Sequence, residues 1–186
     1  VLILMTIYIP VLGIVSNLFL AVPFILFAAK NTGMSSFVFF TAAILLSFIV
    51  GSILAIPLTF SYGLTGIVLG YFIQTKRNRA SSFIASSLVF LITLVIQYAA
   101  AIAFFKINII EDMIDVMKKS IDTSRSMLEG LGQNMNDALV DQLEASLKLI
   151  ESLTPSLFVM TALLAVFLIE LVSFPIIKRF GINPVK

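Results

Sequence analysis

Apolar residues fill four long blocks of the chain, and one polar segment separates the third block from the fourth. The blocks cover residues 1–29, 33–74, 80–105 and 155–177. A helix needs about 20 apolar residues to cross the hydrocarbon core of a bilayer, so the third and fourth blocks each fit one crossing and the second fits two. The pattern therefore predicts an all-α, polytopic transmembrane helix bundle.

The first block, residues 1–29, allows either one kinked crossing or two crossings, because Pro10, Gly13 and Pro23 interrupt it. We favour two crossings with the first helix truncated, which gives about six transmembrane helices. The chain begins at Val1 inside this apolar run and shows no initiator Met or cleavage site. We therefore expect it to be a fragment of a longer protein.

Basic residues lie at the ends of three of the four blocks. They are Lys30, Lys76, Arg77, Arg79, Lys178, Arg179 and Lys186. Lys and Arg are enriched on the cytoplasmic side of membrane helices, so we expect these ends to face the cytoplasm. Because the third block crosses once, the polar segment, residues 107–154, then lies on the opposite side. Two crossings in the first block would start the chain inside, and one would start it outside.

Small residues recur along the second block at the spacing of one helical face. They are Ala43, Ser47, Gly51 and Ala55. This stripe predicts a continuous helix over residues 35–56, ending near Pro57 and followed by a short helix over residues 61–74. The short helix contains Gly66 and Gly70 in G-x-x-x-G spacing, which predicts tight packing against another helix of the same protein.

The polar segment contains nine of the ten acidic residues. Asn108 and Glu111 have the spacing of a capping box, which predicts the start of an amphipathic helix. The glycine-containing stretch 130–134 predicts its end, and a second amphipathic helix follows. The segment is therefore expected to form an acidic helical hairpin.

This pattern divides the chain into three parts. We expect transmembrane helices 1–5 within residues 1–106, the hairpin within residues 107–154, and the last transmembrane helix within residues 155–186. Thr154 and Pro155 suit a helix cap and the first helical position, so we predict that the last membrane helix begins there. Three roles of the hairpin stay open: its two apolar stripes pack together, lie on the membrane interface, or form a lid or docking surface.

One acidic residue, Glu170, lies inside a predicted span. A carboxylate at that depth must face protein or water, be paired, or be protonated, so it indicates either proton coupling or a structural hydrogen bond. Four other polar residues within predicted spans either line a binding site between irregular helices or form hydrogen bonds between helices. The five candidate substrate-binding residues are Asn17, Tyr62, Gln97, Tyr98 and Glu170.

The chain is 60% hydrophobic and 12% charged, which excludes a soluble enzyme domain, a nucleic-acid binder and a disordered chain. It has no Cys and no His, so thiolate chemistry, zinc sites, haem ligation and His-based acid–base catalysis are excluded. It also contains no P-loop, metalloprotease motif or paired intramembrane aspartates. We therefore expect a protein that is not an enzyme and that needs no cofactor or metal.

Four stretches give the chain a family resemblance. They are Tyr8-Ile9-Pro10-Val11-Leu12-Gly13, the pair Pro23-Phe24 before Lys30, the segment Gly63-Leu64-Thr65-Gly66-Ile67-Val68-Leu69-Gly70-Tyr71, and the ending Lys178-Arg179-Phe180-Gly181-Ile182. Over most of its length the chain resembles the YybS-like family of multi-pass bacterial membrane proteins of unknown function. This resemblance implies a location in the bacterial cytoplasmic membrane. The six-helix core of the family is in turn similar to the S components of energy-coupling-factor transporters, which capture vitamins.

Two functions of different classes follow from these features. The first is small-molecule binding or transport in the manner of an S component, with a neutral or amphipathic substrate, because the spans contain no cluster of charges. The alternative is a structural or regulatory membrane protein that docks a partner through the hairpin. The expected partners are the lipid bilayer, a membrane or extracytoplasmic protein and a small-molecule ligand, and nucleic acid is not expected.

Overall fold

A computed structural model describes residues 10–51, 55–106, 108–130 and 137–182 of the chain. These residues form six α-helices and one π-helical turn, and no strand occurs among them. The helices are α1 (Pro10–Lys30), α2 (Gly33–Gly51), α3 (Ala55–Gln74), α4 (Arg79–Ala100), α5 (Ile109–Gly130) and α6 (Asp137–Arg179). The π-helical turn, Ala101–Phe105, directly follows α4. The prediction of an all-α fold is confirmed.

Four helical stretches among the described residues are long and apolar enough to cross a membrane. They are Gly33–Gly51, Ala55–Gln74, Arg79–Phe104 and Ser152–Arg179, and a shorter apolar stretch is Asn17–Lys30 of α1. Large apolar side chains on these helices remain exposed, as Ile49 (77% exposed) and Phe104 (82% exposed) illustrate. Apolar surface of this extent suits contact with lipid, so the predicted transmembrane helix bundle is confirmed.

The chain divides into two compact units. The first unit comprises Val1–Val95 together with Val159–Lys186, and the second comprises Ile96–Phe158. The predicted acidic hairpin, residues 107–154, falls within the second unit. The division of the chain into three parts stays a prediction.

The helix α1 is continuous from Pro10 to Lys30, through Gly13 and Pro23. Pro10 begins the helix, where its missing N–H would have no intrahelical partner. Membrane helices also tolerate an internal proline such as Pro23, because neighbouring groups satisfy the freed carbonyl. The truncated helix that we predict before α1 would lie on residues 1–9, outside the described residues.

The boundary between α2 and α3 differs from the prediction. The prediction of a continuous helix over residues 35–56 was wrong, because Ala55 and Ile56 belong to the separate helix α3; residues 52–54, between α2 and α3, lie outside the described residues. Pro57 falls in the first turn of α3, where backbone N–H groups have no intrahelical acceptor and proline is tolerated. As a result α3 has 20 residues and is long enough to span the bilayer, rather than being a short helix over residues 61–74.

The G-x-x-x-G pair packs α3 tightly against α1. A Cβ atom at Gly66 would lie 2.8 Å from the carbonyl oxygen of Ala21, and one at Gly70 would lie 2.7 Å from that of Ile25. Cβ atoms essentially never approach other heavy atoms within 3.0 Å, so these positions accept only glycine at the present helix separation. The prediction of tight packing within the protein is confirmed.

The small-residue stripe of α2 faces α3 at one described contact. The hydroxyl oxygens of Ser47 and Thr59 lie 2.7 Å apart and form a buried hydrogen bond between the two helices. The apolar core of the first unit is built by α1, α3, α4 and α6. Its members include Ile25, Leu69, Phe90, Val166 and Ile169.

In the second unit, α5 begins as predicted. The side-chain oxygen of Asn108 accepts the backbone N–H of Glu111 at 3.4 Å, which caps the helix. The helix ends at Gly130, and residues 131–136 lie outside the described residues.

The prediction that the last membrane helix begins at Thr154 and Pro155 was wrong, because α6 is continuous from Asp137 to Arg179. Pro155 removes only one backbone donor. The leucine-rich turns on both sides of it favour helix, and therefore the helix continues through it.

Candidate functional site

Glu170 of α6 forms an ion pair with Arg79, the first residue of α4. The Glu170 Oε2 atom lies 3.6 Å from Nε of Arg79. Glu170 is only 2% exposed, whereas the Arg79 side chain is 57% exposed. The guanidinium carbon of Arg79 also lies 5.4 Å from the ring centroid of Phe174, within the range of a cation–π contact. The buried carboxylate thus has a cationic partner whose own side chain is more than half exposed.

Buried hydroxyl groups without a hydrogen-bond partner accompany this pair. Five hydroxyl oxygens and the second carboxylate oxygen of Glu170, Oε1, have no partner among the described residues. We call this set the hydroxyl seam, and it consists of Thr65, Ser82, Ser86, Ser87, Ser173 and Glu170. Four of its members, Thr65, Ser82, Ser86 and Ser173, are completely buried.

Other buried hydroxyls in the first unit are paired. Ser47 bonds to Thr59, and Ser36 donates to the carbonyl of Thr32 one helical turn earlier, at 3.1 Å. Thr93 likewise donates to a backbone carbonyl, at 2.7 Å. The unpaired groups therefore form a distinct set rather than the general state of hydroxyls in this bundle.

Helical spacing places most of the seam on two facing surfaces. Arg79, Ser82 and Ser86 follow the i, i+3, i+7 pattern and share one face of α4. Glu170 and Ser173 are three residues apart and share one face of α6. Because Arg79 contacts Glu170, these two faces meet at the start of α4.

Thr65 extends the seam to α3. The loop between α3 and α4 is short, so the two helices run in opposite directions. The ring centroids of Tyr62 and Phe90 lie 5.7 Å apart and set the register between these helices. Thr65 and Ser86 are each about one turn from this aromatic contact, in the direction of the connecting loop. Thr65 and Ser86 therefore lie at matching levels of neighbouring helices.

The five predicted site residues are divided between the two units. Asn17, Tyr62 and Glu170 lie in the first unit, and Gln97 and Tyr98 lie in the second. Tyr62 packs against the apolar core, and Glu170 belongs to the seam. A binding site shared by all five residues stays a prediction.

Tyr98 has a structural role in the second unit. Its hydroxyl donates to the side-chain oxygen of Asn108 at 2.8 Å, and its ring centroid lies 5.3 Å from that of Phe158. Since the same Asn108 oxygen caps α5, Tyr98 fixes the start of that helix.

Sequence reasoning missed two parts of the site. It assigned Arg79 only to the basic loop. Arg79 begins one span, and Glu170 lies nine residues before the end of another span, Ser152–Arg179, so a pair between them at one side of the membrane was possible. It also left out Ser82 and Ser86, although their i, i+4 spacing on one helix face would have indicated a polar stripe. No group of three or more acidic residues placed to hold a metal ion occurs among the described residues.

The apolar helices, their close packing and the buried ion pair define a polytopic helical membrane protein. The chain belongs to the family described as predicted membrane protein (DUF2232), whose profile matches residues 1–186. It is 26% identical over 180 residues to the uncharacterised protein YybS of Bacillus subtilis (strain 168). That alignment covers 96% of this chain and 58% of the relative, so the chain spans somewhat more than half of the relative's length. No solved structure matches the chain. The resemblance to the YybS-like family is thus confirmed.

Proposed function

We propose that this protein binds a small neutral or amphipathic molecule between its membrane helices and takes part in its transport, as the S components of energy-coupling-factor transporters do. The observation that carries the proposal is the hydroxyl seam. The proposed role is non-catalytic, and the proposed location is the bacterial cytoplasmic membrane, with the basic helix ends in the cytoplasm.

The energetics of the seam support a ligand. A buried polar group without a partner costs about 1–3 kcal/mol. Each member of the seam therefore destabilises the closed bundle, and a ligand that supplies hydrogen-bond partners would recover part of that free energy. Hydroxyl groups both donate and accept, which matches a ligand with neutral polar groups.

Charge supports the same ligand class. Within the seam the one ionisable side chain, Glu170, already faces Arg79. A strongly ionic ligand would lack a free charge of opposite sign in the seam. Because four of the five hydroxyl-bearing residues are completely buried, α3, α4 and α6 must separate to admit a ligand. Such a separation of helices is also what transport requires.

A thermal-shift screen of the purified protein in nanodiscs, against vitamins and their precursors, tests the proposal. We expect at least one neutral or amphipathic compound to raise the melting temperature. Ser86→Ala removes a seam hydroxyl and is expected to weaken this ligand response. Ser36→Ala is the matched control, since Ser36 is also buried but its hydroxyl is paired.

The same two variants have opposite expected effects without ligand. Ser86→Ala removes an unpaired buried hydroxyl and should leave stability unchanged or raised. Ser36→Ala loses a hydrogen bond and should lower the free energy of unfolding by about 1 kcal/mol. The proposal fails if Ser86→Ala is as destabilising as Ser36→Ala and no compound stabilises the wild type.

The exposed apolar residues of α5 favour a second candidate function, docking of a protein partner. Met113 (59% exposed), Val116 (63% exposed) and Met127 (68% exposed) lie on a helix that is otherwise rich in charge. Deletion of residues 109–152 separates the two functions. If the deletion abolishes co-purification of a partner and keeps the ligand response, docking through α5 is supported. If the deletion abolishes the ligand response and no partner co-purifies with the wild type, docking is refuted.

A further inference from the structure

A groove opens beside the ion pair of the first unit, on the surface of α4 and α6. Its volume is about 430 Å³. Its lining combines charged and apolar side chains: Arg79, Phe167, Glu170, Leu171, Phe174, Pro175 and Lys178. The two basic residues lie at one end of the groove, because Lys178 is the lining residue of α6 nearest to the end of that helix and Arg79 begins α4.

This charged end lies at the level of lipid headgroups. Arg79 is the first residue of the candidate span Arg79–Phe104, and Lys178 is next to last in the span Ser152–Arg179. Residues at the ends of membrane spans lie in the interfacial region, where phosphates are found. The two cations are therefore placed where a phospholipid presents its phosphodiester.

The apolar part of the groove has the length of one leaflet. From Lys178 to Phe167 along α6 is about 16 Å at 1.5 Å per residue, close to half of the hydrocarbon thickness of about 30 Å. Phe167 (49% exposed) and Leu171 (56% exposed) present their side chains on this surface. A soluble phosphate compound would leave these apolar residues uncovered.

The charges of the groove select among headgroups. Two cations and one carboxylate leave a net charge of +1, which a singly negative phosphodiester neutralises. Lys178 makes no ion pair with any described residue.

We propose that this groove is a binding site for a singly anionic glycerophospholipid. Its phosphate contacts Arg79 and Lys178, and an acyl chain covers Leu171 and Phe167. Basic pockets between membrane helices bind anionic headgroups by the same combination of charge and apolar contact. The groove shares Glu170 with the hydroxyl seam, whereas Lys178 belongs to the groove alone.

Native mass spectrometry of the delipidated protein, titrated with phosphatidylglycerol, tests this proposal. Phosphatidylcholine with the same acyl chains is the neutral comparison. We expect phosphatidylglycerol to bind more tightly, and Lys178→Gln to weaken its binding about fivefold, the effect of one basic residue near a membrane surface. Lys178 is exposed, so the variant is expected to remain folded.

Arg77→Gln is the matched control, because it removes one exposed positive charge from the loop before α4 and does not line the groove. Wild-type affinity in this variant supports the site, and an equal loss in both variants overturns it. Equal binding of the two lipids also overturns the proposal. Equally tight binding of phosphatidylethanolamine refutes the preference for an anionic headgroup. Displacement of phosphatidylglycerol by equimolar glycerol phosphate shows that the acyl chains contribute nothing and refutes a lipid as the ligand.

Discussion

Replacing Gly70 with alanine would place a methyl group 2.6 Å from the Cβ atom of Ala28 and 2.7 Å from the carbonyl oxygen of Ile25. It would also lie 3.0 Å from the backbone nitrogen of Ala29. Two of these three atoms belong to the backbone of α1, which cannot rotate away as a side chain can. The helices α1 and α3 must therefore move apart by several tenths of an ångström.

Two opposing terms decide the size of the effect. Forcing an extra methyl group into a packed interface costs about 1–3 kcal/mol. The higher helix propensity of alanine over glycine returns about 1 kcal/mol. Since α1 and α3 both contribute to the apolar core of the first unit, we expect a net loss of up to about 2 kcal/mol in the free energy of unfolding.

Thermal unfolding in a mild detergent, followed by circular dichroism at the helical band, measures this loss. Gly33→Ala is the control, because no heavy atom lies within 4 Å of a Cβ atom built at Gly33. It should leave the melting temperature unchanged or raise it slightly. If Gly70→Ala melts no lower than Gly33→Ala, the close approach of α1 and α3 is not the packing that stabilises this bundle.

Two further predictions concern polar contacts. Arg79→Gln leaves Glu170 buried without its cationic partner and should lower the free energy of unfolding by about 1–3 kcal/mol, less than for a fully buried pair because Arg79 is half exposed. A double variant that also carries Glu170→Gln should recover the lost stability, and additive losses would refute the pairing. Tyr98→Phe removes the hydrogen bond to the cap of α5, so hydrogen exchange of the first amides of α5 should become faster. The protection free energy of these amides should fall by about 1 kcal/mol, while exchange in the last turns of α3 stays unchanged.

Local sequence signals predicted those features whose cause is local. Asn108 with Glu111 predicted a helix start because a cap depends on residues three apart. Gly66 with Gly70 predicted a close helix contact because the spacing alone puts both on one face. In each case the structural feature depends on a few residues within one or two helical turns.

The two prolines were misread because their effect depends on position within a helix. The sequence pattern predicts a helix end at Pro57, yet Pro57 lies in the first turn of α3, where no intrahelical bond is lost. The pattern likewise predicts a helix start at Pro155, yet Pro155 lies inside α6, where one lost bond is outweighed by the helical turns on both sides. A proline marks a boundary only where flanking residues do not already favour a longer helix.

The ion pair and the hydroxyl seam could not be predicted in the same way. Arg79 and Glu170 are far apart in sequence, and only the pairing of α4 with α6 brings them together. The burial of Ser82 and Ser86 likewise depends on which face of α4 meets its neighbours. A serine-rich helix face has the same sequence whether it is buried or faces water.

Glu170 belongs to both proposed sites, which decides how they must be tested. Its Oε2 atom faces Arg79 at the groove, and its Oε1 atom is part of the seam. A Glu170 variant would therefore alter both sites and separate neither. Ser86 belongs only to the seam, and Lys178 lines only the groove. If Ser86→Ala loses the ligand response and keeps phosphatidylglycerol binding, while Lys178→Gln shows the reverse, the two sites act independently. If either variant loses both properties, lipid in the groove and ligand in the seam are coupled, and linkage requires that each then changes the affinity for the other by the same factor.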